Sequence, residues 1–402
     1  MEIVMIFSSI LFFLLLVFIL TIFAVYVASL FIHRKYPEFT PDASVVIPAY
    51  NEEKNIKACL DAVFSSNYPK MEVIVVDDGS TDRTAEIAKG YPVKLLSQNH
   101  KGKSEALTLG AKAAKHEFII ALDADTVPEK NCIREIVKPF SDKGIGATTA
   151  VFKVKNRNSI LGMFQNIEYY YHNIIRTSFS KVFNNGVWFF GALSVYRKSV
   201  LKKVGYFKKD TLTEDMDISL EINQAGYRTY SVDKAVASTV APDTLKGFYK
   251  QRSRWWQGGI QSLSKNRQLK KSPSILFLFV NQFWWSFYAF LSLPIIIYQV
   301  NYWLPEGGML AYLFRWFSLS GPFYVLYKIP EWGISTYSIF GVIAGIISSL
   351  MIIMGIFMFK DKLHLRNILA LFFYFPYTIV LNMVIFISLL QFKVLKTKFY
   401  VK

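Results

Sequence analysis

Cysteine and histidine are scarce in this 402-residue sequence, which contains two cysteines and five histidines. Cys59 and Cys132 share no short motif, and no histidines cluster near them. A disulfide framework needs several cysteines, and a structural zinc site needs closely spaced Cys and His ligands. The composition therefore indicates neither, and we expect both thiols to be buried.

Acidic residues are also few, with 29 Asp and Glu against 46 Lys and Arg, which gives a net charge of +17. A basic face is typical of nucleic-acid-binding proteins. Lys and Arg are equally enriched in the cytoplasmic segments of membrane proteins, and Arg34 and Lys35 directly follow a long apolar run. We favour the second explanation, which predicts no nucleic-acid partner and a basic cytosolic domain that faces anionic lipids.

Apolar residues make up 52% of the chain and are concentrated at its two ends. Uncharged runs cover residues 6–32, 275–300, 337–359 and 368–390, each about long enough to span a bilayer. The first run has no preceding Lys or Arg and no small-residue cleavage site, so we interpret it as a retained anchor. Residues 309–327 are interrupted by Arg315 and Pro322, which leaves four or five spans and the side of the C-terminus open. We predict a multi-pass protein of the plasma membrane.

Apolar β-branched runs alternate with helical patterns through the mixed-composition centre of the chain. Strands are predicted at 43–47, 72–76, 93–97 and 118–122. Helices are predicted at 54–65, from Ser80 or Thr81 to residue 88, and at 104–115. Such alternation predicts an α/β domain with a mainly parallel sheet covered by helices on both faces. The predicted organisation is an anchor at 1–35, a cytosolic domain at 36–242, an amphipathic interfacial helix at 243–274, and a C-terminal membrane region at 275–402 with three or four segments.

Acidic motifs follow the predicted strands, where ligands bind to open α/β sheets. Asp123 and Asp125 lie about 7 Å apart along the chain, close enough to share a divalent cation. Asp77 and Asp78 end another strand, although acidic pairs at strand ends are also common as solvated loop residues. Thr213-Glu214-Asp215 begins a predicted helix, where capping by Thr213 would account for the triplet equally well.

Five motifs occur in a characteristic order: Pro48-Ala49-Tyr50-Asn51-Glu52, Asp77-Asp78-Gly79-Ser80, Asp123-Ala124-Asp125, Thr213-Glu214-Asp215 and Gln251-Arg252-Ser253-Arg254-Trp255. Together they resemble the membrane-bound, polymer-forming branch of glycosyltransferase family 2, which includes cellulose, chitin, hyaluronan and poly-N-acetylglucosamine synthases. The resemblance covers residues 44–260. It implies a glycosyltransferase A-type nucleotide-binding fold, a UDP-sugar donor, Mg²⁺ or Mn²⁺, and a processive, inverting enzyme.

The resemblance also implies roles for individual residues. Asp125 would bind the metal, with Asp123 beside the metal or the ribose, and Asp78 would contact the uracil. The remaining donor-binding residues would be Pro48, Ala49, Tyr50, Glu52, Lys103, Gln251 and Arg254. Lys103, at a predicted helix start, is suited to a phosphate, although a solvated lysine fits the sequence as well.

Catalysis and acceptor binding fall on the later motifs. Asp215 is the predicted general base, with Glu214 beside it, and it would take the proton of the attacking acceptor hydroxyl. Gly191, Ala192 and Trp255 are the predicted acceptor-binding residues, and Ala192 stands where related enzymes often have a larger or hydroxylated residue.

Two products are compatible with these motifs. The leading hypothesis is a β-linked polysaccharide, built from UDP-N-acetylglucosamine or UDP-glucose and exported through the membrane. The alternative is a single sugar transferred to a membrane lipid, because ceramide glucosyltransferases resemble the same motifs. A third hypothesis is a catalytically silent binding protein, which the retained Asp215 disfavours. No obligate protein partner is indicated.

Overall fold

The computed structural model describes residues 2–269, 272–303, 326–327, 330, 336–359, 361, 364–372 and 374–394. Its centre is an eight-stranded sheet with the order β3-β2-β1-β4-β7-β6-β8-β5. The strands are β1 (Ala43–Ala49), β2 (Met71–Asp77), β3 (Lys94–Ser97), β4 (Phe118–Leu122), β5 (Val127–Pro128), β6 (Ile145–Val154), β7 (Leu193–Arg197) and β8 (Arg228–Thr239). The four strands predicted from the sequence are present, each within two residues of its predicted ends.

Six of the eight strands run in one direction, while β5 and β7 run in the other. The sheet is therefore mixed, and its parallel part places the ends of β1, β2 and β4 side by side. In the register, Ala49 pairs with Asp77 in β2, and Leu122 pairs with Leu193 in β7. The start of β7 consequently lies at the same edge of the sheet as the end of β4.

Helices cover both faces of the sheet. Successive β1 side chains point to opposite faces, so each face has apolar side chains for helices to bury. Val45 and Ile47 belong to one buried cluster and Val46 to the other. The helices that alternate with the strands or directly follow the last one are α2 (Ile56–Phe64), α3 (Thr84–Lys89), α4 (Lys103–Ala113), α5 (Cys132–Val137), α6 (Ile160–Phe183), α7 (Lys198–Val204), α8 (Glu214–Gln224) and α9 (Leu245–Lys265). Both cysteines are buried and unpaired, as expected.

Among the described residues, five further helices are apolar: α1 (Glu2–Phe31), α10 (Pro273–Trp303), α11 (Thr336–Met358), α12 (Leu365–Phe372) and α13 (Tyr374–Val394). Within the described residues, the segments Ser9–Phe31, Pro273–Ser292 and Ile339–Met358 are long and apolar enough to cross a membrane. A fourth candidate is the pair Leu365–Phe372 and Tyr377–Gln391, bent by 57°. The ambiguous stretch 309–327 falls almost wholly outside the described residues.

Helix α6 connects the sheet to the membrane helices. It packs on β6 and on α1 and α11, where a Cβ atom on Gly355 would lie 2.8 Å from the Ile174 side chain. Its first turn is capped by Ser159, whose hydroxyl accepts a hydrogen bond from the Gly162 N–H at 2.9 Å. The sheet and the apolar helices therefore share one continuous packing interface.

Candidate active site

The nucleotide end of the predicted site is organised around Asp78, which follows β2 and is 3% exposed. Its carboxylate accepts hydrogen bonds from the backbone N–H groups of Lys101, at 2.9 Å, and Gly102, at 2.8 Å, and from the Gln98 amide, at 2.6 Å. Burial opposes ionisation of Asp78, but these donors hold its pKa below the usual range. Asp78 thus fixes the loop that leads into α4.

An aromatic pair lies beside this carboxylate. The rings of Tyr50 and His100 stack with their centroids 4.1 Å apart, and His100 Nδ1 is 2.9 Å from Asp78 Oδ2. Tyr50 was predicted from its motif, whereas His100 lies outside every motif and was missed. Together the two rings provide a flat, half-exposed surface next to Asp78.

Lys103, the first residue of α4, links the middle of the site. Its Nζ atom lies 2.7 Å from an Asp123 carboxylate oxygen and 3.2 Å from a Glu214 oxygen. Burial raises the pKa of Asp123 to about 6 even though Lys103 lowers it, and Asp125 adds repulsion. The Lys103 ammonium therefore offsets part of the repulsion among gathered carboxylates.

Asp125 follows Asp123 by two residues and accepts hydrogen bonds from the hydroxyls of Thr126, at 3.1 Å, and Thr239, at 3.3 Å. Burial raises its pKa, and the nearby charge of Glu52 raises it further. Within the described part of the chain, no three His, Cys, Asp or Glu side chains converge to hold a metal by themselves. Burial opposes the ionisation of both Asp123 and Asp125. Such a pair of carboxylates nevertheless suits a divalent cation that takes its other ligands from a diphosphate.

Asp215, in the first turn of α8, is held by two backbone donors. The Gly191 N–H donates to Oδ2 at 2.8 Å, and the Met216 N–H donates to Oδ1 at 2.8 Å. Burial, followed by the charge of Glu214, raises the pKa of Asp215 to about 6. A carboxylate with this pKa is a stronger base than an ordinary aspartate and is still mostly ionised at pH 7.

The prediction that Thr213 caps this helix with its side chain is wrong. Thr213 occupies the N-cap position, but its side chain makes no capping hydrogen bond. Its hydroxyl lies 3.3 Å from that of Ser262 in α9 instead. Side-chain capping therefore does not account for the Thr213-Glu214-Asp215 triplet, which leaves a role of its carboxylates in the site as the other explanation.

The loop before β7 forms the wall next to Asp215. Its Phe190 carbonyl accepts a hydrogen bond from the Thr149 hydroxyl at 2.8 Å, and the fully buried Arg176 lies beneath the Phe190 ring, 4.1 Å from its centroid. Arg176 also donates to the Trp188 carbonyl at 3.0 Å. These contacts fix the backbone that presents the Gly191 N–H.

Helix α9 completes the site. The Trp255 ring stacks on Phe190 at 6.0 Å, and Arg254 is exposed, with its Nη1 3.4 Å from the Leu212 carbonyl. The Ala192 carbonyl accepts a hydrogen bond from the Asp123 N–H at 2.9 Å, so the predicted acceptor loop directly supports the predicted metal-binding strand end.

The structure thus gathers the motifs at one edge of the sheet. Ala49 contacts Asp78 through a 2.8 Å backbone bond, Gly102 leads from Asp78 to Lys103, and Lys103 reaches both later acidic motifs. The backbone N–H of Glu52 donates to the Thr84 hydroxyl at 2.7 Å, and Gln251 accepts a hydrogen bond from Arg252.

Known proteins are similar to this chain over the region that carries these motifs. The family model described as glycosyltransferase like family 2 matches residues 41–258. Poly-beta-1,6-N-acetyl-D-glucosamine synthase of Staphylococcus epidermidis is 34% identical over 234 residues, which covers 56% of this chain and 56% of that protein. The synthase of Staphylococcus aureus strain COL is 32% identical over 248 residues, covering 58% and 59%. The chain spans about half the length of the curated relatives it matches.

A solved structure has a similar fold. The mannosyltransferase PcManGT from Pyrobaculum calidifontis, in complex with GDP-Man and Mn²⁺, superposes with a TM-score of 0.57 at 22% identity. The match covers 83% of this chain and 98% of that one. At this identity the similarity shows the fold alone.

Proposed function

Because the chain belongs to the glycosyltransferase like family 2, we propose that it transfers N-acetylglucosamine, with inversion, from a UDP-linked donor to a growing β-linked polysaccharide at the membrane. The observation that carries the proposal is the placement of Asp215, a carboxylate with a pKa of about 6 that the Gly191 N–H binds beside the aromatic wall. The choice of sugar comes from the relatives, which are poly-beta-1,6-N-acetyl-D-glucosamine synthases.

In the proposed reaction, an acceptor hydroxyl attacks the anomeric carbon from the face opposite the leaving group. The bond from that carbon to the diphosphate oxygen breaks, UDP leaves with the electron pair, and Asp215 takes the hydroxyl proton. One displacement inverts the anomeric centre. Asp215 and Glu214 form the catalytic set. Burial opposes the ionisation of Glu214, but the charges of Lys103 and Arg254 hold its pKa below the usual range, so Glu214 stays ionised.

The donor would lie along the edge from β1 to α4. The backbone of Pro48, Ala49 and Tyr50, the Glu52 carboxylate and Asp78 would contact the nucleoside, while Lys103 and the exposed Arg254 would contact the diphosphate. Gln251 would act from the same helix as Arg254. The assignments of Ala49, Asp78 and Lys103 are supported by the contacts that join Ala49 to Asp78 and Asp78 to Gly102, the residue before Lys103.

Asp125 and Asp123 are the proposed ligands of Mg²⁺ or Mn²⁺. Such an ion would neutralise the charge that develops on the leaving diphosphate. The raised pKa values of both carboxylates support this, because a bound cation would favour the ionised forms that burial opposes.

The proposed membrane arrangement keeps the sheet domain, residues 36–242, in the cytosol between the anchor and the C-terminal helices, with anionic lipids around α9. Export of the product would follow the α9–α10 junction. In support, Trp256 Nε1 and Asn281 Oδ1 are buried there with no hydrogen-bond partner among the described residues, as expected of groups that would contact sugar hydroxyls. Trp284 Nε1 is also buried without a partner among the described residues, while its ring stacks on Phe18 at 5.6 Å.

The test is to incubate the detergent-purified protein with radiolabelled UDP-N-acetylglucosamine, UDP-glucose or another UDP-sugar plus Mn²⁺, and then to size the product. High-molecular-weight material from UDP-N-acetylglucosamine alone supports the proposal. A single sugar on an extractable lipid would replace it with the single-transfer alternative. If no UDP-sugar is hydrolysed or transferred, the proposal is wrong.

A further inference from the structure

Arg252 lies inside the Gln-x-x-Arg-Trp motif at a position that the motif leaves unspecified, yet it contacts two of the motif's named residues. Its guanidinium packs against the Trp255 ring, 4.4 Å from the centroid, and Nη1 donates a hydrogen bond to Gln251 Oε1. On its other side lies the Phe248 ring at 4.9 Å. The residue as a whole is only 5% exposed, whereas Arg254 is exposed.

The charge of Arg252 is balanced from outside its own helix. Its Nη2 atom lies 2.7 Å from Glu168 Oε2 of α6, and both side chains are 4% exposed. Burial would raise the pKa of Glu168, but Arg252 lowers it, so the pair is ionised. A second donor to the same Glu168 oxygen is the hydroxyl of Tyr377 in α13.

A buried ion pair by itself is weak evidence for any role beyond structure. The Arg252–Glu168 pair is distinguished by the residue that Arg252 contacts away from Glu168, which is Trp255. Trp255 lies between Arg252 and the Phe190 ring, and the next residue after Phe190 is Gly191, whose N–H binds Asp215 at 2.8 Å. A continuous series of contacts therefore leads from the membrane helix α13 to the proposed catalytic base.

We propose that Glu168 and Tyr377 are positioning residues, which act through Arg252 to hold Trp255 against Phe190, so that the acceptor sugar is aligned with Asp215. The proposal rests on the proposed function, since it takes Trp255 as the acceptor surface. It assigns α13 a role in acceptor transfer but none in binding the nucleoside, because the residues around Asp78 that would bind the nucleoside follow β1 and β2 and make none of these contacts.

The chain provides a matched pair of variants. Tyr377→Phe removes the hydroxyl that binds Glu168. Tyr249→Phe removes a 2.6 Å hydrogen bond from α9 to Gln391 of α13, and this bond does not involve Glu168 or Arg252. Both changes delete one hydroxyl at the interface with the same helix. In purified full-length protein we would measure sugar transfer, UDP release and the KM for the acceptor.

We expect Tyr377→Phe to raise the acceptor KM about tenfold, because a hydrogen bond to a charged group is lost. UDP release without transfer should increase relative to transfer, while the KM for UDP-sugar stays unchanged. Tyr249→Phe should match the unsubstituted protein in the acceptor KM, in the ratio of UDP release to transfer, and in the KM for UDP-sugar. A merely structural role would lower transfer and UDP release in parallel.

Arg252→Lys is the second variant, because lysine keeps a charge for Glu168 but lacks the flat guanidinium that packs on Trp255. It should show the same excess of UDP release over transfer. The proposal is overturned if Tyr377→Phe behaves like Tyr249→Phe, or if both activities of Tyr377→Phe fall together with its Tm. Failure of the proposed function would appear earlier and separately, as a lack of transfer by the unsubstituted protein.

Discussion

Replacing Gly191 by alanine tests the placement of the catalytic base most directly. A Cβ atom at this position would lie 2.7 Å from Asp215 Cβ, closer than real Cβ contacts allow, and 3.0 Å from Asp215 Oδ2. The carboxylate must therefore move, and the 2.8 Å hydrogen bond from the Gly191 N–H is lost or lengthened. The backbone of Gly191 has no positive φ, so steric contact with Asp215 is the main effect.

The size of the effect follows from this geometry. A hydrogen bond to a charged group contributes about 1.5–3 kcal/mol, and misplacement of a catalytic group by about 1 Å costs roughly 100-fold in rate. We expect kcat for transfer to fall about 100-fold with the KM for UDP-sugar unchanged. The Gly191 N–H also lowers the pKa of Asp215, so the acid limb of the pH–rate profile should move upward from about 6.

The assay is a pH series of transfer rates for the purified variant, together with UDP-sugar binding by calorimetry. Gly341→Ala in α11 is the control, because a Cβ there would meet only Phe12 ring atoms at 3.6 Å and 3.7 Å. A Gly191→Ala variant with a normal rate and an unshifted pH profile would refute the assignment of Asp215.

Three further substitutions test the other charges of the site. Asp215→Asn should abolish transfer with donor binding nearly intact, and equal loss of binding would contradict its role as a base. The same variant should have a higher Tm at pH 7, since the raised pKa of Asp215 means that stability falls as pH rises from about 4 to about 6. Asp125→Ala should remove the Mn²⁺ dependence of UDP binding; if Mn²⁺ still strengthens binding equally, the metal site lies elsewhere. Lys103→Met should weaken UDP-sugar binding about tenfold or more, as expected for a lost ionic contact to a phosphate, and unchanged affinity would show that Lys103 serves only as the counter-ion of Asp123.

The first half of the fold was predictable because local signals were strong there. Three buried runs rich in β-branched residues, each ended by a polar motif, identify β1, β2 and β4, whereas β3 is short and only partly buried. The strands β5 to β8 were not predicted. Strand β5 has two residues, and the direction of β7 depends on pairing with β4 and β6, which are distant in sequence.

The site was predictable to the extent that its residues belong to motifs. His100, Arg176 and Glu168 were missed because each acts through a tertiary contact: a stack on Tyr50, a cation under Phe190, and an ion pair with Arg252. A charged residue within an aromatic helix, as both Arg176 and Glu168 are in α6, was the one signal available. Such residues are rarely fully buried unless they are paired.

Because β7 runs in the reverse direction, one part of the site follows the ends of strands and the other part precedes the start of a strand. The donor-side motifs leave the ends of β1, β2 and β4, whereas Gly191 enters the site before β7 begins. The segment between Asn184, where α6 ends, and Leu193 belongs to no donor-side strand, and its backbone bond to Asp123 is made by its last residue, Ala192. Exchanging the residues before Ala192 between related enzymes is thus a route to new acceptors on an unchanged nucleotide site.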